Sequence, residues 1–235
     1  MITHPDTVGL FGGRFITDFS VIKNKLRNIK ALVFDWDGVF NNGQKNIDGH
    51  SGFSEVDSMG VNMLRFNIWL FQRKIAPAAI ITGEDNALAA SFANRENFSA
   101  IYKKIKNKEQ AFLHFCKLHE CSTSEVLFVF DDILDLPVAK LAGLRMMVGR
   151  PENPITVQYA IQNRLVDYVA EARSGGHAVR EICELCLLLS NNFQKVVELR
   201  TRYAPEYGDY ITARAGVSPS QFVLRDEEIV SVYAQ

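Results

Sequence analysis

Residues 31–43 read ALVFDWDGVFNNG, an apolar run that breaks off into two aspartates one residue apart and then a glycine. Asp35 and Asp37 set two anions close together. Their repulsion calls for a cation or a shared proton, and a hard, oxygen-ligated ion such as magnesium suits carboxylates. Asp-x-Asp-Gly also suits a plain turn at the end of a strand. Recurrence favours chemistry over the turn: PAAIIT (77–82) ends in Thr82-Gly83, and VLFVF (126–130) ends in Asp131-Asp132. In a parallel sheet these strand ends fall on one edge, where open α/β folds bind their ligands. Lys108, just inside a helix start, would supply positive charge to gathered acids and a phosphate, although alone it reads as an ordinary solvated lysine.

The elements that must position these residues follow from periodicity. Ala31 to Phe34 has no polar alternation and is too short for a typical helix, which suits a strand buried on both faces. Further strands are expected at 77–82, 99–102, 126–130, 144–148 and 166–169. Helices are expected at about 18–28, from Asp57 or Ser58 as cap to 73, and at 84–94, 108–119, 133–143, up to 164, and 177–190. In the second of these Val61, Leu64, Ile68 and Phe71 recur at helical spacing, and in 108–119 Ala111, Phe112, Phe115 and Leu118 face inward. Strands alternating with helices indicate βαβ units. The fold class expected is therefore α/β: a Rossmann-like three-layer sandwich with a mostly parallel sheet. Residues 38–56, rich in Gly and Asn, fit a loop or small β-hairpin. Residues 1–30 read as an N-terminal extension, 31–190 as the core domain, and 191–235 as a C-terminal extension without an assigned role.

Composition sets outer limits. A chain of 235 residues buries roughly 70 to 75 per cent of its unfolded surface, enough for one good core. Lys+Arg 26 against Asp+Glu 27 gives a net charge of -1, which offers no argument for a nucleic-acid or membrane partner. The four cysteines are too few and too scattered for a disulfide scaffold, and Cys183 and Cys186 read as core thiols. His50, His114, His119 and His177 lack ligand spacing, and Trp36 and Trp69 read as core. The start MITHPDTVGLFGGRF has neither the basic residues nor the long apolar run of a secretion signal, so a cytoplasmic location is expected.

The ordered set DWDG, IITG, an isolated lysine and DDILD resembles the four motifs of the haloacid dehalogenase superfamily of phosphohydrolases. Together with SMGVNMLR, DDILDLPVA and GGHAVREICEL, it resembles the branch without a large cap domain, typified by 3-deoxy-D-manno-octulosonate 8-phosphate and nonulosonate 9-phosphate phosphatases. The likeness covers about residues 29–189. It implies a phosphatase in which Asp35 is the nucleophile and Asp37 the general acid and base. It implies Mg²⁺ held by Asp35, the Asp37 backbone carbonyl and Asp131, with Asp132 and Asp135 in support. Thr82, Gly83 and nearby N–H groups would hold phosphate, Lys108 would offset its charge, and the substrate would be a keto-acid sugar phosphate. It also implies a homotetramer, with 38–56 supplying the hairpin and the helix of Ala178, Val179 and Arg180 near an interface. Arg180 would meet either a substrate carboxylate or a surface or interface salt-bridge partner. Asn41, Ser58 and Phe130 stand where the family has Thr, Gly and Gly, and Gly-Gly-His-Ala replaces Gly-Arg-Gly-Ala. Two alternatives stay open from these residues: a weakly active or inactive assembly module of the same fold, and phosphotransfer to an acceptor other than water.

Overall fold

The structure, a computed structural model, describes residues 7–232. Its frame is one nine-stranded sheet. In chain order the strands are β1 (Arg14–Phe15), β2 (Ala31–Phe34), β3 (Ala78–Ile81), β4 (Ala100–Lys103), β5 (Val126–Phe130), β6 (Leu144–Val148), β7 (Tyr168–Ala170), β8 (Ser220–Arg225) and β9 (Glu228–Val232). Their order across the sheet is β1-β7-β6-β5-β2-β3-β4-β8-β9. Every pairing from β7 to β8 is parallel, and only the edge strands β1 and β9 run antiparallel. From β2 the chain moves outward to β3 and β4, then returns to β5 on the other side of β2. This reversal makes β2/β5 the switch point at which α/β sheets open a crevice.

The helices are α1 (Phe19–Leu26), α2 (Glu55–Gln72), α3 (Ala87–Arg95), α4 (Lys108–Leu118), α5 (Leu136–Leu141), α6 (Pro154–Gln162), α7 (Ala178–Leu189), α8 (Phe193–Thr201) and α9 (Pro205–Ala215). One apolar layer joins α1, α2, α3 and α7 to one sheet face through Ile22, Val61, Phe92 and Ile182. The other joins α4, α5 and α6 to the opposite face through Phe112, Val138 and Val157. Burial on both faces explains why the central strands are apolar without alternation. The three-layer α/β architecture is thus as the sequence indicates, and no large cap domain interrupts it.

Several local expectations are corrected. Residues 38–54 contain turns and no strand, so this insertion is a loop rather than a hairpin. The cap of α2 is Ser54, whose side chain accepts from Val56 N–H; Asp57 lies buried inside the first turn and accepts from Arg180 N–H at 3.0 Å. Phe71 and Leu118, read as inward, are exposed because each falls in the last turn of its helix. Trp36 and Trp69 are buried, as are Cys183 and Cys186, which are free thiols. Among the described residues no helix is long and apolar enough to cross a membrane.

The segment beyond residue 190 is built onto this body. Helices α8 and α9 cover the outer side of α2, where Tyr207 and Tyr210 meet Phe66 at ring-centroid distances of 5.1 and 5.2 Å. Strand β8 then pairs in parallel with β4, and Phe222 stacks on Tyr102 at 4.9 Å. At the opposite edge Asp167 is fully buried and receives Arg145, Lys25 at 2.7 Å and Thr17 at 2.7 Å, tying the N-terminal segment to the sheet. Burial alone would raise this carboxyl, but those donors outweigh it and hold its pKa at about 2.

Two outcomes are expected. Tyr210→Ala will lower unfolding free energy by about 3–5 kcal/mol in a single denaturant transition; a separate early transition for the C-terminal segment would contradict its integration. Because the Asp167 carboxyl is depressed, its stabilisation is complete above the unfolded pKa near 4 and is lost as pH falls towards 2. The stability gap between native chain and Asp167→Asn, measured by urea unfolding, should therefore shrink by about 2 kcal/mol between pH 6 and pH 2.

Candidate active site

The parallel register brings the acids together. Phe34 lies opposite Val129 of β5 and Ile80 of β3, so Asp35, Asp131 and Thr82 all emerge at the carboxyl edge within one residue of each other. The Asp35 N–H still donates to Val129 O at 3.0 Å, which fixes where its side chain begins. After β5 the chain closes a 3₁₀ turn over Ile133–Asp135, with Asp132 as its cap and the Asp132 N–H donating to Asp135 Oδ2. That turn folds the buried Asp135 back beneath the edge. One oxygen each of Asp35, Asp131 and Asp135 lie within 4.8 Å of one another.

Lys108 answers part of this charge. Asn107 caps α4, which places Lys108 at its first position, and the ammonium donates to Asp35 Oδ1 at 2.6 Å and to Asp135 Oδ1 at 2.7 Å. Burial alone would lower the lysine pKa, but its two carboxylate partners, Asp35 first, raise it instead. Arg150, at the end of β6, pairs with Asp131 Oδ2. Sequence reasoning missed this residue, although the rule used for Asp35 and Asp131, inspection of strand ends, also applies to it.

The remaining charge is visible in the acids. Burial, then the Asp35 and Asp135 charges, push Asp131 up to about 9 against the pull of Arg150. Burial and Asp35 push Asp135 up to about 6 despite Lys108. The cluster thus holds either a proton or a cation. Asp131 is completely buried; its Oδ2 meets the Arg150 guanidinium, and its Oδ1 has no hydrogen-bond partner among the described residues. A buried carboxylate with one oxygen left unpartnered, beside two further hard oxygens, fits a divalent cation of the magnesium type. Gly38 permits the crowding. Its φ is +90°, and a Cβ there would strike both the Arg150 guanidinium and Asp131 Oδ2.

Asp37 stands apart from the trio. Its carboxylate takes Lys45 Nζ at 2.6 Å and the Ser51 hydroxyl. Ser51 in turn accepts from Asn86 Nδ2 at 2.8 Å, and its carbonyl accepts from Trp36 Nε1. The loop is pinned by Trp36, which packs on Phe40 and Phe92 at 5.1 and 5.6 Å. Lys45 and Ser51 carried no sequence signal, since nothing in a Gly/Asn-rich stretch fixes which side chain folds back.

The other anticipated residues occupy varied places. Thr82 is buried at the edge, with its Oγ1 accepting from Glu84 N–H at 3.2 Å, and Gly83 is exposed beside it. Asp132 is exposed and caps its turn. Arg180 is not brought to the cluster: its guanidinium is held by Glu184 of the same helix at 2.6 Å. Of the five histidines, the four among the described residues do not join the acids. His114 meets Tyr102, His119 stacks on Phe115, His50 accepts from Ala87 N–H, and His177 faces Asp57. A cavity of about 320 Å³ lies away from this chemistry, beside Leu32 and Leu127 at the opposite ends of β2 and β5.

No family model matches the sequence. The 3-deoxy-D-manno-octulosonate 8-phosphate phosphatase of Salmonella typhi is 30% identical over 172 residues, 71% of this chain and 84% of that protein. The same enzyme of Escherichia coli K12 is 30% identical over 169 residues, 70% of this chain and 82% of that one. Among solved structures, the Moraxella catarrhalis phosphatase of that name, in complex with magnesium, phosphate and KDO, matches with TM-score 0.63 at 27% identity, over 76% of this chain and 97% of its own. A HAD-superfamily hydrolase (subfamily III A) from Legionella pneumophila matches with TM-score 0.63 at 26% identity, over 77% and 94%. At this identity and coverage the chain belongs to the 3-deoxy-D-manno-octulosonate 8-phosphate phosphatase family of the haloacid dehalogenase superfamily.

Proposed function

We propose that this chain is a Mg²⁺-dependent phosphomonoester hydrolase acting on a sugar phosphate, with a 3-deoxy keto-acid sugar phosphate as its substrate class. The observation that carries the reading is Lys108 bridging Asp35 and Asp135 beside a buried Asp131 whose Oδ1 has no hydrogen-bond partner among the described residues. Asp35, Asp131, Asp135 and the Asp37 backbone carbonyl would hold the ion. When bound, it neutralises phosphoryl oxygens and strengthens the electrophile.

The chain's own groups account for the remaining steps. An Asp35 carboxylate oxygen attacks phosphorus while the ester oxygen leaves, giving an aspartyl phosphate and a sugar alcohol that takes its proton from Asp37. Asp37 then removes a proton from water, whose oxygen attacks the same phosphorus, releasing inorganic phosphate and regenerating Asp35. Lys45 and Ser51 hold the Asp37 carboxylate for both transfers. Thr82 and the N–H groups after β3 receive phosphoryl oxygens, and Lys108 offsets the charge gathered on them.

The departures from the family pattern do not support an inactive assembly module. Asn41 is used to pin the loop, donating to Trp36 O and Gly52 O at 3.3 and 3.1 Å. Ser58 donates to Glu96 at 2.7 Å within the helical layer, and Phe130 is buried in a stack on Phe128. All three are absorbed by the scaffold while the acids and lysine stay intact.

Phosphate release from a panel of sugar phosphates tests the reading. The expected result is turnover that stops on chelation, returns with Mg²⁺, and is abolished in Asp35→Asn. Lys108→Met should lower kcat by about 10²- to 10³-fold. A folded native protein that releases no phosphate from any panel member with Mg²⁺ present would overturn it.

A further inference from the structure

A pocket of about 300 Å³ opens beside the carboxylate cluster, with Arg14, Arg150 and Arg173 in its wall. It belongs to the same sheet edge: Arg150 follows β6, and Glu171 and Arg173 follow β7. Arg14 arrives from β1, where it pairs with Val169. The sequence FGGRF makes that approach feasible, because a Cβ on Gly13 would collide with the Tyr168 hydroxyl and the Val169 carbonyl. The two glycines therefore lay the N-terminal segment against β7 and carry Arg14 to the pocket.

The electrostatics of this wall favour an anion, although Arg14 and Arg173 are themselves exposed to solvent. Arg150 is shared with the active site through Asp131, while its buried Nε has no partner. Among the described residues no ion pair or hydrogen bond engages the guanidinium of Arg14 or Arg173. Three guanidinium groups set against Asp131 and the lining Glu171 leave one formal positive charge, which matches a monoanion such as a carboxylate better than a phosphate dianion. Arginine's planar fork suits a carboxylate in particular. Strands β6 and β7 lie two and three strand spacings from β2, or about 10–14 Å. That separation suits the far end of an extended sugar chain whose phosphate is at Asp35.

We propose that this pocket binds the carboxylate of an acidic sugar phosphate and so selects sugar acids over neutral sugar phosphates. The inference deepens the phosphatase reading and rests on it. Arg14 and Arg173 act as specificity residues, and Arg150 links their pocket to the metal-binding acids.

The test compares kcat/KM for 3-deoxy-D-manno-octulosonate 8-phosphate and for glucitol 6-phosphate, which lacks the carboxylate. The ratio of acid to neutral substrate is expected to fall about 10- to 100-fold in Arg14→Gln and in Arg173→Gln; an unchanged ratio in both overturns the pocket. A second measurement stands apart from turnover: calorimetric titration of unphosphorylated 3-deoxy-D-manno-octulosonate into the native chain and the double variant. Binding by the native chain that weakens at least about tenfold in the double variant supports the pocket, and equal or absent binding overturns it. If the native chain hydrolyses neither ester, the phosphatase reading is what fails, and the calorimetry decides the pocket.

Discussion

The constraint on which this molecule depends is the repulsion among three carboxylates buried within 4.8 Å of one another. At the effective dielectric of a protein interior each such pair costs on the order of 3 kcal/mol, so the arrangement persists only because cationic groups are built around it. Lys108 and Arg150 supply two positive charges against three negative ones. Burial, together with the one uncompensated charge, keeps the Asp131 and Asp135 carboxyls raised. A divalent cation reverses the balance to net positive, the sign that attracts a phosphate ester. The same imbalance that disfavours the three acids on their own recruits the cation that would attract an anionic substrate.

The scaffold holds this imbalance because the sheet is stiff at that point. Strand β2 is paired on both sides and buried on both faces, so Asp35 cannot retreat from Asp131. The opposing layers of helices lock the register, and the 3₁₀ turn after β5 supplies the third acid. The loop following Asp35 is not part of the sheet. Even there, the aromatic cluster of Trp36, Phe40 and Phe92 fixes its root while Asp37 is held at its rim by Lys45 and Ser51. In the proposed reaction this would set the nucleophile Asp35 on rigid backbone and the acid/base Asp37 on a tethered loop, a division of labour that suits a two-step transfer.

Much of this was legible in the sequence, for identifiable reasons. Strands buried on both faces leave uninterrupted apolar runs, and polar residues at their ends mark the ligand-binding edge, so Asp35, Thr82 and Asp131 could be read directly, whereas Lys108, at a helix start, gained its place only beside them and from the family resemblance. Asp135 could be placed only as a supporting residue, because the 3₁₀ turn that folds it inward depends on a capping box that spacing alone does not specify. Arg150, Lys45 and Ser51 are partners created by tertiary packing. The loop at 38–54 was open to either conformation, since Gly and Asn favour turns with or without flanking strands. The role of residues 193–232 was illegible because β8 adds to the far side of β4, more than a hundred residues earlier in the chain, and local periodicity carries no trace of such a pairing.

The central claim, that the buried acids form one divalent-cation site, is tested most directly by calorimetric titration of Mg²⁺ into the native chain and into Asp131→Asn. The account predicts a single site in the native chain, weakened by at least about tenfold in the variant. Absence of Mg²⁺ binding by the native chain, or equal affinity in the two proteins, would contradict it.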